Sequence, residues 1–219
     1  MAGGGPAASA LSSPWRALLQ RALDANAHLR HSTYFQLATV GAAGRPANRT
    51  VVFRGFQELC DKIQINTDAR TNKIGEIKSC PFGEICWYFT DSWEQFRISG
   101  SIDVIDASTT DPAKLQHKEK AWFSSSVKSR LQYLGPQPGI PVLDDEHVKG
   151  VHLDPLAGPV DAFCLLVLDP EKVRQPFFSL SCCCSHVDYL NLKSNQRLIF
   201  TRRQKDDGSN DWMAVKVSP

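Results

Sequence analysis

The sequence predicts a mainly β protein, an antiparallel barrel with peripheral helices. About eight or nine short segments read as strands, and most follow one another directly. Helical patterns are confined to the start of the chain and to two interruptions. Strands and helices do not alternate strictly, as a doubly wound parallel sheet would require.

Residues 1–12, rich in Gly, Ala and Ser, are expected to be disordered, and residues 13–219 to form one domain. Ser13 and Pro14 suit the N-cap and first position of a helix. Trp15, Leu18, Leu19, Ala22, Leu23 and Leu29 give that helix one apolar stripe. "YFQLATV" (34–40) and "NRTVVFRGF" (48–56) alternate as strands around the turn "GAAGRP", which suggests a hairpin. "KIQINT" (62–67) is a third strand, and a short helix over 71–79 stops before Pro81. "GEICWYFT" (83–90) and "EQFRISGSIDVID" (94–106) are two more strands. Residues 111–134 are helical, with Asp111 as a cap and the "SSS" run at 124–126 as a break. The Pro- and Gly-rich stretch 135–160 is a long loop, a length that in a compact domain goes with function or partial disorder. Strands return at 162–169, 186–192, 196–203 and 212–217.

Composition narrows the function. The chain of 219 residues is 42% hydrophobic, enough for a full core, and its formal net charge is only +2. "FTRRQK" is its one dense basic cluster, so a nucleic-acid protein is not indicated. No run of 18 apolar residues exists to span a membrane. The N-terminus lacks the charged and apolar regions of a secretory signal, which points to the cytoplasm. Its freedom from acids before Asp24, with Arg16 and Arg21 present, leaves an organelle transit peptide open. Seven scattered cysteines suit a reduced protein with free thiols. The run Cys182–Cys184 cannot converge on one metal from a strand, because neighbouring side chains point to opposite faces, and no histidine spacing completes a site. No metal is expected.

Three stretches carry candidate chemistry. In "RTVVFR", Arg49, Val51 and Phe53 share one strand face while Thr50, Val52 and Arg54 share the other. In "NTDARTNK" a strand hands over to a helix. A helix start offers unpaired N–H groups and partial positive charge, so Thr71 with Lys73 reads as a phosphate cradle. The bland alternative is helix capping by Asp68 or Thr71, which accounts for Thr71 but not for the cations Arg70 and Lys73. In "EQFRISG", Gln95 and Arg97 share a face, and a glutamine's paired donor and acceptor suit a heterocycle edge. The first and third stretches, taken alone, also read as ordinary exposed polar strand positions.

In order, "RTVVFRGF", "INTDARTNKIGEI", "EQFRISG", "QRLIFTRR" and "DWMAVKVSP" resemble the pyridoxamine 5′-phosphate oxidase family, the FMN-binding split barrels. The likeness runs from about residue 15 to the C-terminus, and is nearer to the branch found in plants and cyanobacteria. It implies FMN as cofactor and a homodimer with flavin sites at the interface. It implies that Arg49, Thr50, Val51 and Val52 line the flavin and that Asn66 and Thr67 meet its ring or ribityl chain. Thr71, Asn72 and Lys73 would hold the phosphate, with Arg70 replacing the charge that relatives carry at Asn72. Gln95 would reach the flavin from the facing subunit, Arg197 would take a late flavin-contacting position, and Gln137 would add a contact.

The substrate half departs from the pattern. Arg54 stands for a lysine that holds the substrate phosphate. The Tyr, Arg and Ser that grip it elsewhere become Trp122, Ser126 and Arg130, which leaves Arg54 and Arg130 as substrate candidates. The Arg-Leu-His triplet before the last flavin arginine is missing from "NLKSNQR", and Leu190 stands where a tryptophan packs by the flavin. The expected function is an FMN-dependent oxidoreductase on a small molecule. The alternatives are a non-catalytic flavin-binding protein, or a genuine pyridoxine/pyridoxamine phosphate oxidase with a remodelled substrate site. Split-barrel relatives that hold haem or deazaflavin instead are a further comparison, and the Lys73 cradle argues for FMN over haem.

Overall fold

A computed structural model describes residues 13–141, 152–170, 186–204 and 210–219. The disorder expected for 1–12 and the cysteine run at 182–184 fall outside them. The described chain forms nine strands and four α-helices: α1 (Pro14–Ala25), β1 (Tyr34–Val40), β2 (Pro46–Phe56), β3 (Ile63–Asp68), α2 (Asn72–Ser79), β4 (Phe82–Phe89), β5 (Glu94–Ile105), α3 (Pro112–Phe123), α4 (Val127–Leu131), β6 (Phe163–Asp169), β7 (His186–Asn191), β8 (Gln196–Gln204) and β9 (Asn210–Val217). No described helix is long and apolar enough to cross a membrane. No group of three or more described His, Cys, Asp or Glu side chains could hold a metal ion.

Every described pairing is antiparallel. The order β4-β1-β2-β3-β6-β5, closed by pairing between β4 and β5, makes a six-stranded barrel, and β7-β8-β9 extend from β5. The strand β5 is where the barrel splits. Its first half pairs with β7 (Glu94 opposite Asn191) and its second half with β6 (Ile105 opposite Leu165), while β4 runs along its other edge. At the division sits Gly100, where an added Cβ would lie 2.5 Å from the Asp169 carbonyl oxygen and 3.0 Å from the Pro170 Cα.

Alternation along the strands fills the barrel. Phe35, Leu37, Ile63, Ile65, Ile85, Trp87, Phe96 and Ile98 are fully buried. β6 reads as a continuous apolar run because both its faces are covered. Cys164, Leu166 and Leu168 point into the barrel, and Phe163, Leu165 and Val167 form a second cluster with Trp122 and Tyr133. β2 bulges between Phe53 and Phe56, where Gly55 takes φ +118°, a conformation side chains rarely adopt.

Two helix starts differ from the capping expected of them. Ser13 precedes α1 without a side-chain cap bond; instead its N–H donates to the Asp61 carboxylate at 3.3 Å. Arg16 donates to the same carboxylate at 3.3 Å and to the Cys60 carbonyl at 2.8 Å, so α1 is pinned to the β2–β3 turn. Leu29 lies beyond the helix, which ends at Ala25. Thr71 likewise makes no cap bond, because its hydroxyl donates back to the Asp68 carbonyl at 2.7 Å. Asp111 does cap α3, accepting from the Ala113 and Lys114 N–H groups at 2.9 and 3.4 Å.

After β5, Asp106 accepts from Lys78 Nζ at 2.7 Å and from the Ser108 N–H and hydroxyl at 2.9 and 2.6 Å. Burial pushes its carboxyl pKa up, but these bonds outweigh that and hold it at about 2. A lowered carboxyl contributes stability above its ordinary pKa that is lost as pH falls toward the folded value. Allowing for the half-exposed Lys78, the contribution should be about 1–2 kcal/mol. Urea unfolding of wild type between about pH 4 and pH 2 should therefore show a steeper loss of stability than Asp106→Asn. Equal slopes would sink this role.

Candidate functional site

Outside the barrel, β2 and β3 carry an outward row that α3 and the segment after α4 leave partly uncovered. A cavity of about 300 Å³ opens there. Thr50, Val51, Val52 and Arg54 of β2 form one wall, and Asn66, Thr67 and Asp68 at the end of β3 form the floor. Lys73 of α2 closes one end, and Gln132, Tyr133 and Pro138 stand opposite.

Lys73 Nζ donates to the hydroxyls of Thr67 and Thr71, each at 3.0 Å. Among the described residues it has no carboxylate within ion-pair distance. Burial, and then the nearby Arg49 charge, lower its pKa from the usual lysine value. A half-buried ammonium at a helix start, ringed by hydroxyls and short of a counter-charge, is an arrangement suited to an anion. Asn72 is the first helical residue and is exposed beside it, and no acid occupies the first turn.

Two further cations of this region, Arg70 and Arg49, are already committed. Arg70 holds the Asp68 carboxylate with two bonds, from Nε at 2.9 Å and Nη2 at 2.6 Å. It also donates to the carbonyls of Gly135 (3.0 Å) and Tyr133 (3.4 Å). It is therefore a strut between the β3–α2 turn and the far wall, and does not supply the phosphate charge expected of it in place of Asn72. Arg49 lies on the inward row of β2 and runs to the barrel end, donating to Glu76 at 2.7 Å, to the Leu37 carbonyl at 3.3 Å and to the Thr39 hydroxyl. A bond from Thr39, with Arg49 adding to it, keeps the Glu76 pKa below the usual carboxylate range. Only the neighbours of Arg49 on β2 line the cavity.

Gln95 and Arg197 are not at this cavity within one chain. They lie in one row across β5, β7 and β8, with Leu190 opposite both. Arg197 is held by Asp188 through two bonds, at 3.0 and 2.7 Å, which raises its pKa further. Arg97 lies on the same face of β5 as Gln95, opposite Asp188, and is bonded to Glu84 at 2.9 Å. Exposed Tyr88 and Trp93 flank the row.

The substrate candidates divide. Arg54 is exposed at the cavity wall, with no hydrogen-bond or ion-pair partner among the described residues. Arg130 is 5% exposed, stacked over Trp122 at 5.4 Å and donating to the Pro155 carbonyl at 2.9 Å, and lines no described cavity. Trp122 is buried with its indole N–H on the Ala157 carbonyl, and Ser126 caps α4. Sequence reasoning missed Asp68 as a strut partner, together with Gln132 and Tyr133. Burial pushes the Tyr133 hydroxyl up to about 12, so it stays a proton donor. The spacing of Asp68 and Arg70 could have signalled their pairing; nothing in "LQYLGPQP" announces a cavity wall. Gln137 was expected at the site, and its neighbour Pro138 is the residue that lines it.

The family described as pyridoxamine 5′-phosphate oxidase, FMN-binding domain, matches residues 12–106. A protein of Arabidopsis thaliana named pyridoxine/pyridoxamine 5′-phosphate oxidase 2 is 55% identical over 207 residues, covering 94% of this chain and 98% of its own. A solved FMN-binding protein of Nostoc punctiforme PCC 73102, described as pyridoxamine 5′-phosphate oxidase-related, is 35% identical with a TM-score of 0.81, covering 95% of this chain and 98% of its own. PhzG of Burkholderia lata shares the fold, at a TM-score of 0.70 and 18% identity, over 99% of this chain and 98% of its own.

Proposed function

The chain belongs to the pyridoxamine 5′-phosphate oxidase family of FMN-binding proteins, and we propose that it is an FMN-dependent oxidoreductase acting on pyridoxine or pyridoxamine 5′-phosphate. The observation that carries the cofactor half is Lys73, an uncompensated cation beside two hydroxyls at the start of α2. The substrate half rests on a relative 55% identical over nearly its whole length.

Lys73, Thr71 and Thr67 hold the FMN phosphate, with the exposed amide of Asn72 at its edge. Thr50, Val51, Val52 and Asn66 line the flavin, and Tyr133 faces them across the cavity. Bound FMN supplies the hydride acceptor, and dioxygen or another acceptor reoxidises it. A cavity of about 300 Å³ is at the small end for a ligand site, and Gln95 and Arg197 lie elsewhere on the chain. Both facts support a homodimer in which the second copy brings Gln95 and Arg197 to the flavin. The described thiols Cys60, Cys80, Cys86 and Cys164 are free, which suits the cytoplasm or another reducing compartment.

The purified protein should be yellow, with absorption bands at roughly 370 and 450 nm that the flavin itself sets. Anaerobic addition of pyridoxamine 5′-phosphate should bleach the longer-wavelength band. A colourless protein that takes up no added FMN would overturn the cofactor assignment. A yellow protein that no pyridoxine or pyridoxamine phosphate bleaches would overturn the substrate assignment and leave a non-catalytic flavin-binding protein.

A further inference from the structure

Asn66 stands where two cavities meet. It lines the flavin cavity and also a second one, of about 540 Å³, between the β2–β3 ribbon and α3. The two ends of its amide act oppositely: the nitrogen donates and the oxygen accepts. Which end is offered to a ligand decides what group it can hold. The end of α3 settles the orientation. The Ser125 N–H turns to the Trp122 carbonyl at 3.1 Å, the tighter bonding common where a helix stops. The Ala121 carbonyl is taken instead by the Ser125 hydroxyl, which donates to it at 3.1 Å. A hydroxyl has a single proton to give. With that proton committed, Ser125 Oγ accepts from Asn66, whose Nδ2 lies 3.1 Å away. Asn66 Oδ1 is thereby left on the other side of the amide, where it is buried and accepts from no described residue. A buried acceptor without a donor is costly, and in a native fold it points to a partner.

We propose that Ser125 is a positioning residue for the cofactor: its hydroxyl turns the Asn66 amide so that Oδ1 accepts a hydrogen bond from a hydroxyl of the FMN ribityl chain. The proposal rests on the function given above. Position favours the ribityl chain over the ring. Thr67, the next residue along β3, bonds Lys73 in the phosphate cradle, and the ribityl chain is the part of FMN joined directly to its phosphate. That chain offers several hydroxyl donors, whereas the oxidised ring has a single N–H, at the edge remote from the phosphate. The serine run that separates α3 from α4 thus divides its work. Ser124 donates back to the Lys120 carbonyl, Ser126 caps α4, and Ser125 reaches the cofactor site through Asn66.

The test titrates the full-length apo protein with FMN and with an analogue in which an unsubstituted pentyl chain joins the same ring to the same phosphate. Flavin fluorescence and calorimetry follow binding. Ser125→Ala should weaken FMN about three- to tenfold, the scale of one hydrogen bond, and should leave the analogue's affinity unchanged. Asn66→Ala should weaken FMN by at least as much, and adding Ser125→Ala to it should change nothing further. Ser125→Thr, which keeps the hydroxyl, should bind FMN as wild type does. Ser124→Ala is the matched control. That hydroxyl makes the same kind of bond to the carbonyl four residues back, at 2.7 Å, and has no bond to Asn66, so FMN affinity should hold. The proposal is overturned if Ser125→Ala leaves FMN affinity unchanged, if it weakens the analogue as much as FMN, or if it still weakens FMN when Asn66 is already alanine. Wild type that binds FMN in any of these cases keeps its cofactor, and only the role of Ser125 is lost. Wild type that binds neither flavin loses the cofactor reading as well.

Discussion

Replacing Lys73 with methionine should weaken FMN binding roughly ten- to a hundredfold, the value of one charge-assisted contact to phosphate in a partly buried site. The methionine keeps much of the apolar stem while removing the ammonium whose partners among the described residues are the Thr67 and Thr71 hydroxyls. The pH profile is the sharper readout. FMN affinity should rise as the phosphate completes its second ionisation near about pH 6. It should fall again as Lys73 loses its proton, earlier than an ordinary lysine, because burial and Arg49 lower its pKa. In the methionine variant the alkaline fall should be absent. The apo protein should behave oppositely. Folding disfavours the charged Lys73, so that penalty is present below its lowered pKa and is relieved as pH rises toward the ordinary lysine value. Fluorescence titration of FMN across pH checks this, and an alkaline fall that survives in Lys73→Met would remove Lys73 from the phosphate site.

Gly100→Val should cost about 3 kcal/mol or more, beyond the usual range for overpacking, because the obstacle is backbone. A Cβ there meets the Asp169 carbonyl and Pro170 Cα, which cannot swing aside as a flexible side chain would. At about 2–4 °C per kcal/mol for a chain of this size, the melting temperature should drop by roughly 6–12 °C. Gly75→Ala is the matched control. Gly75 lies inside α2 with nothing within 4 Å of the position a Cβ would take, so alanine should stabilise by about 0.5–1 kcal/mol. If both variants melt together, crowding at the β5–β6 junction is not what selects glycine.

Much of the fold was legible because alternation and turn chemistry agree locally. "YFQLATV" is strand β1 residue for residue, and the serine run at 124–126 does separate α3 from α4. β6 was legible by its apolar run, but not why it is apolar: covering both faces is a property of where it lies, between β3 and β5 under α3. The site was legible in part for a similar reason. Types and spacing brought out Lys73, and the family resemblance brought out Thr67 and Asn66; the structure gathers all three at one cavity. What spacing could not show is which cations are already spent. Arg70 and Arg49 look as available as Lys73 in the sequence; Asp68 and Glu76 occupy them in the fold. Tyr133 and Pro138 reach the cavity from far along the chain, a consequence of how the segment after α4 packs back on β6.

The match to the family's FMN-binding-domain model ends at Asp106, just past β5, and the barrel at that point is one strand short. β6 is inserted between β3 and β5 and supplies the last hydrogen-bonded seam. A fragment ending at residue 106 would leave β3 and the second half of β5 with open edges, the arrangement that templates aggregation. The stretch most recognisable by descent is thus not the unit that can stand alone. Truncations meant to isolate a minimal flavin module have to retain β6, and with it the helices that cover its outer face.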